Sequence, residues 1–155
     1  MNAVHDWQAT ATNPEATIRL AARIGKRLRG GEVIELVSDL GGGKTTFVRG
    51  LAEGAGSSDT VSSPSFTLTN QYQAGGLTIY HFDFYRLHEP GIIREELAEI
   101  VADPQAVAVV EWADVIADAL PVSRLSVTIR PTAETAREFA FQYPESLKYL
   151  FPANT

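Results

Sequence analysis

Apolar positions along the chain alternate between a period near 3.6 and a period near 2, which predicts helices interleaved with strands. Residues 5–12 suit an edge strand. Asn13-Pro14-Glu15 then reads as a helix entry. Asn caps free N–H groups, Pro fits the first turn, and Glu favours the positive end of the helix dipole. Ile18, Ala21, Ala22, Gly25 and Leu28 follow with helical spacing, and Gly30-Gly31 is expected to end a helix over 14–29. The run EVIELV (32–37) is apolar and β-branched and predicts a strand. It leads into a glycine-rich loop, after which Phe47, Val48, Leu51 and Ala55 recur at helical spacing.

Residues 66–72 and 76–83 predict two strands joined at Ala74-Gly75-Gly76, a hairpin by its turn chemistry. Residues 92–100 are helical by pattern, and AVAVVEW (106–112) suits a strand covered on both faces. Residues 124–130 and 136–143 form a second hairpin pattern, and Pro144 opens a short helix with Leu147, Leu150 and Phe151 apolar. Strands and helices mixed around a buried strand pair predict an α/β fold.

Composition narrows the classes. The 155 residues are 45% hydrophobic and 21% charged, which fits one ordinary globular domain over 1–155. With no cysteine, disulfides and thiolate metal sites are excluded. The opening MNAVHDWQAT lacks the basic and apolar regions of a signal peptide, and the run AVAVV is too short to span a bilayer, so a cytoplasmic chain with no membrane partner is expected. A formal net charge of -6 makes unaided binding to a nucleic-acid backbone unfavourable, so any action on nucleic acid should pass through a partner.

The chemistry concentrates after the strand at 32–37. The phosphate-loop pattern G-x-x-x-x-G-K-[ST] is met at seven of eight positions by Ser38-Asp39-Leu40-Gly41-Gly42-Gly43-Lys44-Thr45. Glycines let backbone N–H groups converge on phosphates, and the following helix adds its positive end. Lys44 would reach the β- and γ-phosphates of ATP, and Thr45 would place its hydroxyl on Mg²⁺. A bare G-K-[ST] arises by chance in about one chain in ten; a preceding strand, a following helix and two further glycines lower that sharply. Ser38 stands where the pattern has its first glycine, which is expected to weaken affinity without removing the site.

Glu111 closes the apolar run, at the strand end that faces the ligand crevice in α/β sheets. There it would hold Mg²⁺ or orient a water, unless it is simply an exposed strand-end acid. His81, Asp83 and Tyr85 share one face of their strand, opposite Phe82 and Phe84. That polar face either lines a site or carries an ordinary Asp–Arg pairing, and His81 is either structural or part of a pocket. The hydroxyl-dense run Ser62–Thr67 is a plain loop or a nucleotide-sensing one, with Ser65 or Thr67 meeting the γ-phosphate or Mg²⁺. Trp112 is read as core or pocket wall.

The ordered series DLGGGKTTFVRGLAEG, VSSPSFTL, HFDFYRL, VVEWAD and LP resembles the TsaE (YjeE) family of small bacterial P-loop ATPases over nearly the whole chain. The phosphate loop alone is widely shared; the elements together, in this order, are specific. The resemblance implies a P-loop NTPase-like three-layer sandwich with a mixed central sheet and added antiparallel hairpins. It implies an ATPase that docks on a TsaD–TsaB pair and, with TsaC in the pathway, serves threonylcarbamoyl modification of the tRNA adenosine beside the anticodon, reaching tRNA indirectly. By position it implies phosphate contacts from Asp39, Leu40, Gly41, Gly42, Gly43, Lys44, Thr45 and Thr46. Magnesium would be held by Thr45, Glu111 and Asp83, and catalysis carried by Lys44, Glu111 and Asp83. Ser65 and Thr67 would lie in a switch-like loop, and His81 and Trp112 in a pocket or partner contact. Arg137 and the segment 14–17 would lie near the base or ribose. Gly42 stands where relatives often carry Ala, which leaves backbone approach intact. Slow hydrolysis by the isolated chain is expected, because no arginine finger is evident in cis. A metabolite kinase and a non-catalytic nucleotide-binding module are the competing readings.

Overall fold

The computed structural model describes residues 4–38, 43–64, 68–85 and 91–152. Seven strands, β1 (Val4–Ala11), β2 (Val33–Val37), β3 (Thr69–Ala74), β4 (Leu77–Asp83), β5 (Ala106–Glu111), β6 (Leu125–Pro131) and β7 (Arg137–Pro144), join one sheet in the order β1-β7-β6-β2-β5-β4-β3. The inner strands β6-β2-β5-β4 are parallel. The flanking pairs β1/β7, β7/β6 and β4/β3 are antiparallel, so both expected hairpins are present. Helices α1 (Pro14–Gly25) and α2 (Lys44–Gly54) cover one face, and α3 (Gly91–Ala102) with a 3₁₀ segment, Ala113–Ala119, covers part of the other. No helix among the described residues is long and apolar enough to cross a membrane.

Strand β5 shows why the layers form. All six of its residues are buried. Val107 and Val109 face Leu51 and Ile24 of the helical layer, whereas Ala108 and Val110 pack with Phe82, Phe84, Leu97 and Ile116 behind the sheet. A central strand must be apolar on both sides, as its sequence predicts.

Asn13 caps α1 as expected, its Oδ1 accepting from the Ala16 N–H at 2.8 Å. The helix ends at Gly25, earlier than the sequence predicts. The reason is Glu32, which is 2% exposed. Its carboxylate takes the N–H groups of Arg29 at 2.7 Å and Gly30 at 2.8 Å, diverting them from helix carbonyls. Tyr149 donates its hydroxyl to the same carboxylate at 2.5 Å, tying in the C-terminal 3₁₀ turn Glu145–Leu150. The buried stripe of α1 is also rotated from the expected one: Thr17, Leu20, Ala21, Ile24 and Gly25 are buried, while Ile18, Ala22 and Leu28 are only partly so.

Close approach of α1 to α2 explains that rotation. A Cβ added at Gly50 would stand 2.6 Å from both Ala21 Cβ and Ile18 O, and one at Gly54 would stand 2.1 Å from Ala22 O. Glycine at these positions is what lets two helix backbones touch.

Candidate functional site

Parallel pairing of β4 with β5 sets Asp83 opposite Glu111 at the carboxyl ends of both strands. Both acids are buried, at 5% and 3% exposure. Strand β2, the neighbour of β5, ends beside them and passes through Ser38 toward α2, whose N-cap is Gly43 in a left-handed conformation (φ 100°). Lys44 therefore enters at the head of α2, directly over the strand ends.

The Lys44 side chain is buried in the structure. Its Nζ donates to the Ser38 carbonyl at 3.1 Å, stands 3.8 Å from Glu111 Oε1, and lies 4.7 Å from the Trp112 ring centre. The contact at Ser38 uses a backbone oxygen that any residue supplies, so serine in place of glycine does not cost this bond. Glu111 Oε2 is hydrogen-bonded to His81 Nε2. Thus Lys44, Glu111, His81 and Trp112 form one connected group, with Asp83 beside Glu111.

Trp112 follows Glu111 with φ 57° and ψ 52°, a left-handed conformation that costs a bulky residue of order 1–3 kcal/mol. It turns the ring back onto Lys44 and against Tyr85, with ring centroids 4.9 Å apart. Asp83 is anchored by its backbone: its N–H bonds Leu68 O at 2.9 Å, and its Oδ1 accepts from the Tyr85 N–H at 3.0 Å. Leu68, itself left-handed at φ 68°, bonds back to Pro64 O at 2.8 Å. Leu68 thereby links Pro64 to Asp83. Ser65 and Thr67 themselves, like Asp39, Leu40, Gly41 and Gly42, lie outside the described residues.

Thr45 and Thr46 occupy the first turn of α2. Thr46 lines a cavity of about 80 Å³ together with Gly43, Pro14, Thr17, Thr135 and Arg137. The structure thus brings Arg137, Pro14 and Thr17 together at the head of α2. A Cβ on Gly43 would lie 3.4 Å from Arg137 Nε. Arg137 Nη1 donates to the carbonyls of Ala133, Glu134 and Ala136, holding the β6–β7 turn beside that cavity. A second cavity, of about 300 Å³, opens on the far side of Trp112 between the ends of β2 and β6; Val37, Ser38, Asp114, Thr128 and Arg130 line it.

Sequence reasoning missed Tyr72. Tyr72, 3% exposed, bonds both the N–H and the C=O of Ser62 through its hydroxyl, at 3.2 and 3.0 Å. Its inward position on β3 was available from strand alternation; the loop it holds was not.

A family model described as threonylcarbamoyl adenosine biosynthesis protein TsaE matches residues 11–139. The relative named tRNA threonylcarbamoyladenosine biosynthesis protein TsaE from Bacillus subtilis (strain 168) is 39% identical over 130 residues, covering 83% of this chain and 80% of its own length. The relative of the same name from Treponema pallidum (strain Nichols) is 34% identical over 131 residues, covering 84% and 96%. A crystal structure of Bacillus subtilis YdiB superposes with a TM-score of 0.76 at 31% identity, over 97% of this chain and 94% of that one. The strand, loop and helix at residues 33–54 therefore sit in a P-loop NTPase-like fold.

Proposed function

The chain belongs to the TsaE family, with a role in tRNA threonylcarbamoyladenosine biosynthesis, and from that premise we propose that it is the Mg²⁺-dependent ATPase subunit of the modification. The observation that supports this best is the position of Lys44, at the start of the helix that follows the glycine loop and within reach of a strand-end carboxylate. In this reading Lys44 and the N-terminus of α2 bind the phosphates of ATP and stabilise charge on the phosphoryl oxygens. Glu111 and Asp83, held by sheet register, orient the attacking water. Asp39 through Thr46 supply the cradle, Ser65 and Thr67 lie in the segment that senses the γ-phosphate, and Arg137 flanks the nucleoside.

The donor set fits magnesium. Among the described residues no three His, Cys, Asp or Glu side chains form a self-sufficient metal cage. One hydroxyl and two carboxylates near a phosphate loop match the habit of Mg²⁺, which uses one or two carboxylates together with substrate phosphates. Thr45, Glu111 and Asp83 would hold the ion, whose chemistry is neutralisation of phosphate charge.

Partners follow from the same premise. The acidic chain (net charge -6) reaches tRNA through a TsaD–TsaB complex, with TsaC supplying the pathway, in the cytoplasm. Arg124 is committed to Glu35 at 3.1 Å and to Pro121 O at 2.9 Å, and so is not available as a kinase-type lid residue. Hydrolysis by the isolated chain is slow and is stimulated by TsaD–TsaB.

The test is tRNA modification reconstituted with TsaB, TsaC and TsaD, comparing the wild type with Thr45→Ala and Glu111→Ala. Multiple-turnover modification with the wild type alone is expected. Equal modification without this chain, or with either variant, refutes the proposal. A phosphorylated small-molecule acceptor in place of free phosphate would establish a kinase instead.

A further inference from the structure

His81 is fully buried, and only one of its ring nitrogens is bonded: Nε2 meets Glu111 Oε2, while Nδ1 has no partner among the described residues. A carboxylate only accepts, so the proton of this bond belongs to Nε2, and the unpartnered Nδ1 leaves a lone pair rather than a buried N–H unsatisfied. The ring is thus a single-point donor aimed at Glu111.

Sheet register explains the aim. His81 pairs with Val109, two residues before Glu111 on the same face of β5, so His81 and Glu111 are diagonal neighbours. Tyr72 pairs with Ile79, two residues before His81, and repeats the diagonal on β3 with ring centroids 6.5 Å apart. A row of three side chains therefore crosses three adjacent strands and ends at Lys44.

The Lys44–Glu111 separation of 3.8 Å is longer than a hydrogen bond, although both groups are buried and opposite in charge. A buried carboxylate without another donor would turn both oxygens onto that ammonium. We propose that His81 is a positioning residue: by holding Oε2, it fixes the Glu111 carboxylate so that only Oε1 faces Lys44 at the head of α2, the orientation in which Glu111 serves the nucleotide site. This role rests on the nucleotide binding proposed above.

The experiment measures affinity for a fluorescent ATP analogue with Mg²⁺ in the full chain. His81→Phe keeps a buried ring and removes the donor; affinity is expected to fall about tenfold. His81→Gln, which returns an N–H at similar reach, is expected to restore it to within threefold. His81→Phe added to Glu111→Ala is expected to change affinity by less than about twofold beyond Glu111→Ala alone, because the ring then has no carboxylate to hold. Histidine-selective ¹⁵N NMR of the nucleotide-free chain supplies a readout independent of the nucleotide, with an Nε2–H signal that shifts in Glu111→Gln. Wild-type affinity in His81→Phe, an equally large loss when His81→Phe is added to Glu111→Ala, or an Nε2 signal indifferent to Glu111 overturns this role and leaves the proposed function standing. A wild type that binds no nucleotide overturns the proposed function itself and this role with it.

Discussion

Gly50→Ala sets two effects of similar size against each other, and the structure decides between them. Glycine inside a helix costs about 1 kcal/mol relative to alanine, so propensity alone favours the substitution. The added Cβ, however, would meet Ala21 Cβ and Ile18 O at 2.6 Å, about 0.8 Å short of the 3.4 Å at which ordinary contact begins. Ile18 O is backbone, so relief requires α1 and α2 to move apart. Overpacking of this kind costs about 1–3 kcal/mol, and the buried setting of Phe47, Val48 and Leu51 on the same helix places it toward the upper end. The net expectation is a loss of about 1–2 kcal/mol, or a melting temperature lower by about 3–6 °C for a chain of this length. Urea denaturation with an unchanged m-value would measure it, with Gly76→Ala, whose Cβ meets nothing within 4 Å, as the neutral control. Because Pro14 and Thr17 of α1 share a cavity with Gly43 and Thr46 at the head of α2, separation of the helices should also weaken nucleotide binding. A Gly50→Ala protein as stable as the wild type, or more so, would show that the helices do not pack backbone to backbone and would refute the reasoning.

Glu111→Gln preserves volume and an acceptor for His81, so hydrolysis with partners should fall at least about 100-fold with the fold intact. Glu111→Ala should in addition lower the melting temperature, because it removes the acceptor of buried His81 and the carboxylate beside buried Lys44; both are read by phosphate release and thermal melts. Chelation of divalent ions with EDTA should abolish hydrolysis without shifting the melting temperature, since no metal cage braces the described fold. Burial first, and then the bond to Glu32, raise the Tyr149 pKa above its ordinary value near 10. The folded state holds that proton more tightly, so this stabilisation is present below about pH 10 and is lost as pH rises further. Tyr149→Phe should cost about 1–2 kcal/mol at neutral pH by removing a donor from buried Glu32, and should flatten the alkaline fall in stability followed by urea titration.

The strand–loop–helix unit was legible because its signals are local: an apolar run, three glycines, and helical spacing from Phe47 onward. Glu111 was legible for a similar reason, as a carboxylate that ends a strand buried on both faces. The early end of α1 was not, since it depends on Glu32 folding back and on Tyr149, distant in sequence, completing that carboxylate's bonds. The roles of Gly50 and Gly54 were hidden too, because one chain of letters does not show which helix crosses which. Nor does the sequence announce the left-handed backbone of Trp112, a residue type that rarely adopts it. Strand alternation placed His81 on the same face as Asp83, but only the pairing of β4 with β5 revealed which acid it meets.

Asp83 and Glu111 face each other across one rung of a parallel ladder, and adjacent strands lie about 4.8 Å apart in any sheet. The gap between the two backbones that carry these acids is thus a constant of the peptide group, which no neighbouring side chain can retune. Loops around it are free to drift in length and composition while this ruler stays fixed. A slip of β4 by one residue would not loosen the pair but abolish it, turning Phe82 forward and the Asp83 carboxylate into the oily layer behind the sheet.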